Sequence, residues 1–217
     1  MRESFTFDKN SALRSEGTSK AIRTTGAYIV TLYQCAYRTA RSADSKAEML
    51  DFTVGDAEGR KALTGLVLSK RDGSPAFGMN VWNALLGLMG VTDAKIVQDN
   101  VFALNGSHKP GYRIHAVEKK RIGMLLQYVE DKDEHGYQVL NDKGYPVYHM
   151  VLQCLFDPET HKTYSELVDG KPAQTLQKLL AKYKDDFGKV AEDESSAVSY
   201  GSAATTTAAD VGDDMPF

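Results

Sequence analysis

The stretch TTGAYIVTLYQCAYRTARS, Thr24 to Ser42, constrains the fold of this chain more than any other. It is rich in β-branched and aromatic residues and holds no proline, the composition of a long strand. Successive strand side chains point to opposite faces, so a single buried face requires a single parity. Here Tyr28, Val30 and Leu32 share one parity, while Tyr33, Cys35 and Tyr37 have the other. A flat strand cannot bury both sets. A bulge or sharp bend near the middle brings both against one core.

The segments that follow are more regular. After the turn SADSK, AEMLDFTVGD alternates with Leu50, Phe52 and Val54 on one face. RKALTGLVLSK supplies a third strand beyond the turn GDAEG, completing a meander. The period then changes. In SPAFGMNVWNALLGLMGV, Trp82, Leu85, Leu86 and Met89 fall at helical spacing, and Gly90 stands where the helix should end. Trp82 and Phe52 read as core residues. Residues 91–118 are less regular: TDAKIVQDN suggests a short helix and NGSHKPGYR a loop. KKRIGMLLQYVED predicts a fourth strand, with Ile122, Met124, Leu126 and Tyr128 alternating. GYQVLNDKGYPVYHMVLQCLFDPETHKTYSEL predicts a hairpin arm leading into a long fifth strand. Its turns are marked by Asn141–Gly144 and Asp157–Thr160. KPAQTLQKLLAKYKDDFG predicts a closing amphipathic helix with Leu176, Leu179, Leu180 and Tyr183 on one side and Pro172 near its start.

Past Gly188 the composition shifts. Between Ser195 and Gly212, fourteen of eighteen residues are Ser, Thr, Ala or Gly, too little apolar surface to offset the entropy of ordering. From Val190 onward there are six acids and no Lys or Arg, which leaves 26 basic and 23 acidic residues before it, a net of +3. A mildly basic body joined to a purely acidic tail suits a body that meets polyanions. The predicted organisation is a folded domain over residues 1–188, whose first 17 residues form a loose arm, and a disordered linker and tip over 189–217. Three strands, a helix, two further strands and a terminal helix make a mainly β (α+β) pattern. It matches a five-stranded oligonucleotide-binding (OB) barrel with its helix between strands three and four, followed by a C-terminal helix and a disordered acidic tail, and a generic α+β domain would give the same order of elements.

Enzyme signatures are missing from the sequence. Neither phosphate-cradling glycine motif is present, nor C-x-x-C, H-E-x-x-H or G-x-S-x-G. The five histidines show no zinc spacing, and His149 reads as an ordinary strand residue. Asp51, Asp56 and Glu58 form a local carboxylate group that could hold magnesium in a nuclease, although acids are commonplace in such a Gly-flanked turn. No cofactor is called for. No apolar run approaches the ~18 residues of a membrane span, and the N-terminal residues lack the apolar run of a secretory signal. Free thiols at Cys35 and Cys154 and a cytoplasmic location are the corresponding expectations.

Basic residues interleaved with aromatics on strands favour single-stranded nucleic acid. Cations follow the phosphates, while rings stack on bases with little regard to sequence. Arg38 and Arg41 stand at the far end of a strand that carries Tyr28, Tyr33 and Tyr37; Lys70 and Arg71 follow the third strand; Lys119, Lys120 and Arg121 open the fourth. Tyr137, Tyr145 and Tyr148 flank the Asn-Asp-Lys-Gly turn of the projecting arm. These thirteen residues are the candidate DNA contacts.

The sequence closes on Asp213, Asp214, Met215, Pro216 and Phe217. A folded body, a Ser/Ala/Thr/Gly tether and an acidic run ending in Pro-Phe together resemble the bacterial single-stranded DNA-binding proteins, whose tip ends Asp-Ile-Pro-Phe. The body is similar in pattern to the diverse OB-fold single-stranded DNA-binding proteins of tailed bacteriophages. The resemblance implies a non-enzymatic protein that coats single-stranded DNA during phage replication, recombination or repair in the host cytoplasm. It also implies recruitment of replication and recombination proteins through the tip. A terminal ring and carboxylate suit a shallow apolar pocket beside a cation. A magnesium-dependent nuclease, a strand-annealing recombination protein and an adaptor without nucleic-acid affinity remain alternative classes.

Overall fold

A computed structural model of the chain describes residues 21–183, apart from 41, 43, 104–106, 134 and 143. The predicted N-terminal arm, Arg41, the linker and the Asp213–Phe217 tip therefore lie outside the described residues.

The parity conflict in the long first strand is resolved by a bulge. Strand β1 (Gly26–Thr39) pairs with β2 (Glu48–Asp56) from Val30 to Leu32, and the register resumes only at Gln34 opposite Thr53. Tyr33 is the extra residue. It is passed over by the ladder and is 44% exposed, whereas Val30, Leu32 and Cys35 all reach the core. β2 continues the meander into β3 (Lys61–Ser69).

Helix α1 (Phe77–Leu88) lies against β3, and its buried Gly78 leaves no room for a side chain, because an added Cβ would meet Val67 O at 2.2 Å. Trp82 stacks on Phe52 with ring centroids 6.5 Å apart, so both are core residues as the periodicity predicts. Fully burying side chains of this kind stabilises by roughly 1.5–3 kcal/mol each. Gly90, at φ 62°, ends the helical segment.

The fold has seven strands where the sequence predicts five. The segment read as a short helix and a loop is an antiparallel hairpin of β4 (Val97–Phe102) and β5 (His108–Arg113). Its polar composition and Pro110 hide it from pattern reading, and proline is tolerated because an edge hairpin has few ladder bonds to lose. A single 3-10 turn, His115–Val117, leads to β6 (Arg121–Glu130), which pairs with β7 (Tyr148–Phe156). β6 pairs along the first half of β1, and β5 meets its far end at Ala36 and Tyr37. The result is an open antiparallel sheet in which β3 and β7 approach one another beside α1. No ladder joins those two strands among the described residues.

β6 is buried on both faces. Ile122, Met124 and Leu126 enter the main core, while Leu125 meets Phe156 and α3 (Thr175–Lys182). The predicted apolar side of the last helix is the packed one: Leu176, Leu179, Leu180 and Tyr183 all join this second cluster. That helix starts at Thr175, so Pro172 lies outside it. A short helix, α2 (Tyr164–Val168), precedes it and was not anticipated. Its signal was present, since Thr163-x-x-Glu166 is a capping box, formed here in both directions. Cys35 is buried, Cys154 half-buried, and both are free thiols. Among the described residues no helix is long and apolar enough to cross a membrane.

Candidate nucleic-acid interface

The outward face of the meander carries one continuous row. Register places Lys61 opposite Gly55, Gly55 opposite Thr31, and Thr31 opposite Arg121, spanning β3, β2, β1 and β6. Both cations at its ends are exposed, and its middle is small. Tyr33, displaced outward by the bulge, lies across Gly55, where an added Cβ would stand 2.5 Å from its Cε2. Lys61 Nζ lies 5.7 Å from the Tyr33 ring centroid. Glycine at 55 therefore provides the seat for a ring that lies beside Lys61. Further along the face, Leu63 and Val67 of β3 are 37% and 49% exposed, opposite Thr53 and Met49. Exposed apolar side chains and a ring can support base planes, and the cations of the row can pair with phosphates.

Arg38 closes the far side, in register with Met49. Its Nε donates to Asp51 Oδ2 at 2.6 Å, with both side chains substantially exposed. Such an exposed pair is worth about 0–1 kcal/mol and exchanges readily for a phosphate. Arg113 differs. It donates to Glu118 at 2.7 Å and to Asp99 at 3.2 Å, and its side chain is only 12% exposed, so its charge is committed to holding β5.

Two tyrosines of β1 point inward instead. Tyr28 packs on the core, shares hydrogen bonds with Thr24 and lies beneath the Arg60 guanidinium. Tyr37 also packs on the core, and its hydroxyl donates to Glu48 Oε1 at 2.6 Å. That hydrogen bond, with burial, pushes the phenol up to about 12. The bulge explains the division: it turns Tyr33 out while Tyr28 and Tyr37, on either side, face the core.

The remaining predicted cations are dispersed. Lys70 and Arg71 are exposed on the turn between β3 and α1. Lys119, at φ 62°, and Arg121 are exposed on the other edge of β1, where the Lys119 N–H donates to Leu32 O. Lys120 lies between them but turns its Nζ to Met89 O at 3.0 Å, capping the carbonyl end of α1.

The arm between β6 and β7 is more built than a simple hairpin. Three main-chain hydrogen bonds close a ring: Asp131 N–H to Val147 O, Val139 N–H to Asp131 O, and Val147 N–H to Val139 O. Asp133 and Asn141 cap its two turns by accepting from the N–H groups of Tyr137 and Tyr145. Tyr137 is 72% exposed and Tyr145 is 38% exposed, while Tyr148 stacks on Tyr128 at 4.7 Å. His149 is exposed and pairs with Asp131 at the arm's base.

The carboxylates weighed as a magnesium site are engaged by arginines. Asp51 is held by Arg38, and Arg60 bridges Asp56 at 2.8 Å and Glu58 at 3.2 Å. Among the described residues no group of three His, Cys, Asp or Glu side chains is placed to hold a metal ion.

Sequence reasoning missed Lys61, Leu63 and Val67, which have no individual signature and gain meaning only from register. It also missed Phe102 and Tyr112, which lie on the hairpin read as helix and loop. No protein-family model matches the chain, and no curated protein matches it.

Proposed function

We propose that this chain is a non-enzymatic single-stranded DNA-binding protein that coats DNA with little sequence preference. The observation that carries the reading is the Lys61–Gly55–Thr31–Arg121 row with the Tyr33 ring laid across it. An exposed ring beside Lys61, in a row that ends on a second exposed cation, suits a base stacked next to neighbouring phosphates.

The corresponding fold reading takes β1, β2, β3, β6 and β7 as the five strands of an oligonucleotide-binding barrel. The approach of β3 to β7 supports closure, α1 occupies the connection after the third strand, and the β4–β5 hairpin is an insertion after α1. In such barrels the face of strands two and three and the loops after strands one and four bind oligonucleotides. Their counterparts here are the β2–β3 face, residues 40–47, and the tyrosine-bearing arm at 131–147. Arg41 and the Asp213–Phe217 motif enter the proposal from the sequence alone. The motif would recruit replication, recombination or repair proteins, and the phage resemblance would place the protein in a bacterial cytoplasm.

Titration of labelled oligo-dT with the full chain, followed by anisotropy at several salt concentrations, tests the reading. Wild type should bind and weaken with salt. K61A/R121A should bind more weakly, with a slope of log affinity against log salt shallower by about 1.4, from about 0.7 per phosphate contact on single strands. Unchanged affinity and slope in that variant would overturn the assignment of this face. Magnesium-dependent degradation of the oligonucleotide would favour the nuclease class instead.

A further inference from the structure

We propose that the β4–β5 hairpin is a second contact surface for single-stranded nucleic acid, continuing the path that begins at Tyr33. The proposal rests on the single-strand-binding reading and adds a site to it.

Register divides the hairpin into two faces. Val97 and Arg113, Asp99 and Gly111, and Val101 and Lys109 share one; Gln98 and Tyr112, Asn100 and Pro110, and Phe102 and His108 share the other. The first face does the anchoring. Arg113 binds Asp99 and Glu118, and Val101 fills the space above Gly111, where an added Cβ would stand 2.7 Å from its Cγ2.

Gln34 anchors the hairpin end. Its buried side chain donates from Nε2 to Phe102 O at 3.0 Å and accepts from Phe102 N–H at 2.7 Å, as a neighbouring strand would. Gln34 follows Tyr33 directly in sequence, so this clamp brings the hairpin beside the ring seat.

All six residues of the second face are exposed, and none is a carboxylate. Phe102 and Tyr112 are 48% and 50% exposed, and the His108 ring lies 5.9 Å from that of Phe102. Edge hairpins ordinarily carry charges that discourage association. This one presents two rings, an imidazole, a proline and two amides on a backbone that is fixed from behind. Rings offer stacking surface to any base, and the Gln98 and Asn100 amides offer donors and acceptors to base edges.

The charge fits a polyanion. Asp99 is the only acid between Val97 and Arg113, and it is engaged by Arg113 and by His115. Lys109 is exposed on the hairpin.

The test uses the full chain with the substitutions F102L/Y112L, which keep apolar bulk and remove both rings, and Y112F, which keeps its ring. Affinity is read on labelled oligo-dT of increasing length. Bromodeoxyuridine-substituted oligonucleotides are photo-crosslinked to the wild type and the crosslinked peptide is identified. On longer oligonucleotides F102L/Y112L should lose at least about five-fold in affinity, the lower limit for one stacked base. On the shortest oligonucleotide that binds, it should match wild type. Y112F should match wild type throughout, and crosslinks should map to Phe102 or Tyr112. Wild-type affinity of F102L/Y112L at every length, with K61A/R121A still impaired, would overturn the hairpin site alone. No binding by wild type at any length would overturn both readings. A wild-type dimer that F102L/Y112L dissolves without loss of affinity would assign the face to a second copy of the chain and overturn the proposal. Should F102L/Y112L fail to fold, the wild-type crosslink map decides.

Discussion

Replacing Gly55 with alanine should displace the Tyr33 ring without unfolding the sheet. The new Cβ would stand 2.5 Å from Tyr33 Cε2. Carbon atoms sit best at about 3.5–4.0 Å, so the ring must withdraw by roughly 1–1.5 Å. Tyr33 is 44% exposed and can swing toward solvent, whereas the Arg60 carbonyl, 3.2 Å from the new atom, is backbone that resists. Alanine's smaller loss of chain entropy offsets part of that strain, so the stability change should stay within about 1 kcal/mol. Binding should suffer more. A base stacked on the seated ring is worth about 1–3 kcal/mol, so displacement should cost up to that amount, about 5- to 150-fold in affinity for oligo-dT. Thermal melts and anisotropy titrations of wild type, G55A, Y33A and G55A/Y33A form a complete cycle. Once Tyr33 is gone, G55A should add nothing. Wild-type affinity in G55A, or an undiminished G55A effect in the Y33A background, would refute the ring-seat reasoning.

Two further outcomes test the scaffold. Burial alone would raise the Glu166 carboxyl, but it accepts from the backbone N–H groups of Thr163, Thr175 and Gln174, which hold it down to about 2. An unfolded glutamate titrates near 4.5, so this carboxylate contributes stability that is complete above that value. The contribution, about 3 kcal/mol, is lost as pH falls through 2. In urea unfolding, E166Q should be less stable than wild type at neutral pH and the gap should close between pH 5 and 2; a gap independent of pH would contradict this. Y37F should cost about 1 kcal/mol by removing the hydrogen bond to Glu48, and should abolish the phenol that ionises near 12. It should leave oligo-dT affinity unchanged, because that hydroxyl is engaged by Glu48; a clear loss of affinity would return Tyr37 to the DNA path.

Periodicity is a local property, and what it determines here is considerable. The positions of β1, β2, β3, α1 and β6, the need for a bulge in β1, the core roles of Trp82 and Phe52, and the packed side of α3 all follow from residue spacing. The candidate site was legible only in part, and for a definite reason. Tyr28, Tyr33 and Tyr37 are chemically alike, and which of them faces solvent depends on where the extra residue of the bulge falls, which the pairing with β2 settles. Lys120 and Arg121 are adjacent cations, yet one is turned to the end of α1 and the other stands in a row across four strands. The hairpin carried no usable pattern, because its fixed positions come from Gln34 and Glu118, far from it or outside it in sequence. Sequence alone determined which segments bury apolar surface. Tertiary structure decided which polar and aromatic side chains are left outside, and which of them stand together, because register and long-range hydrogen bonds join residues that no local spacing relates.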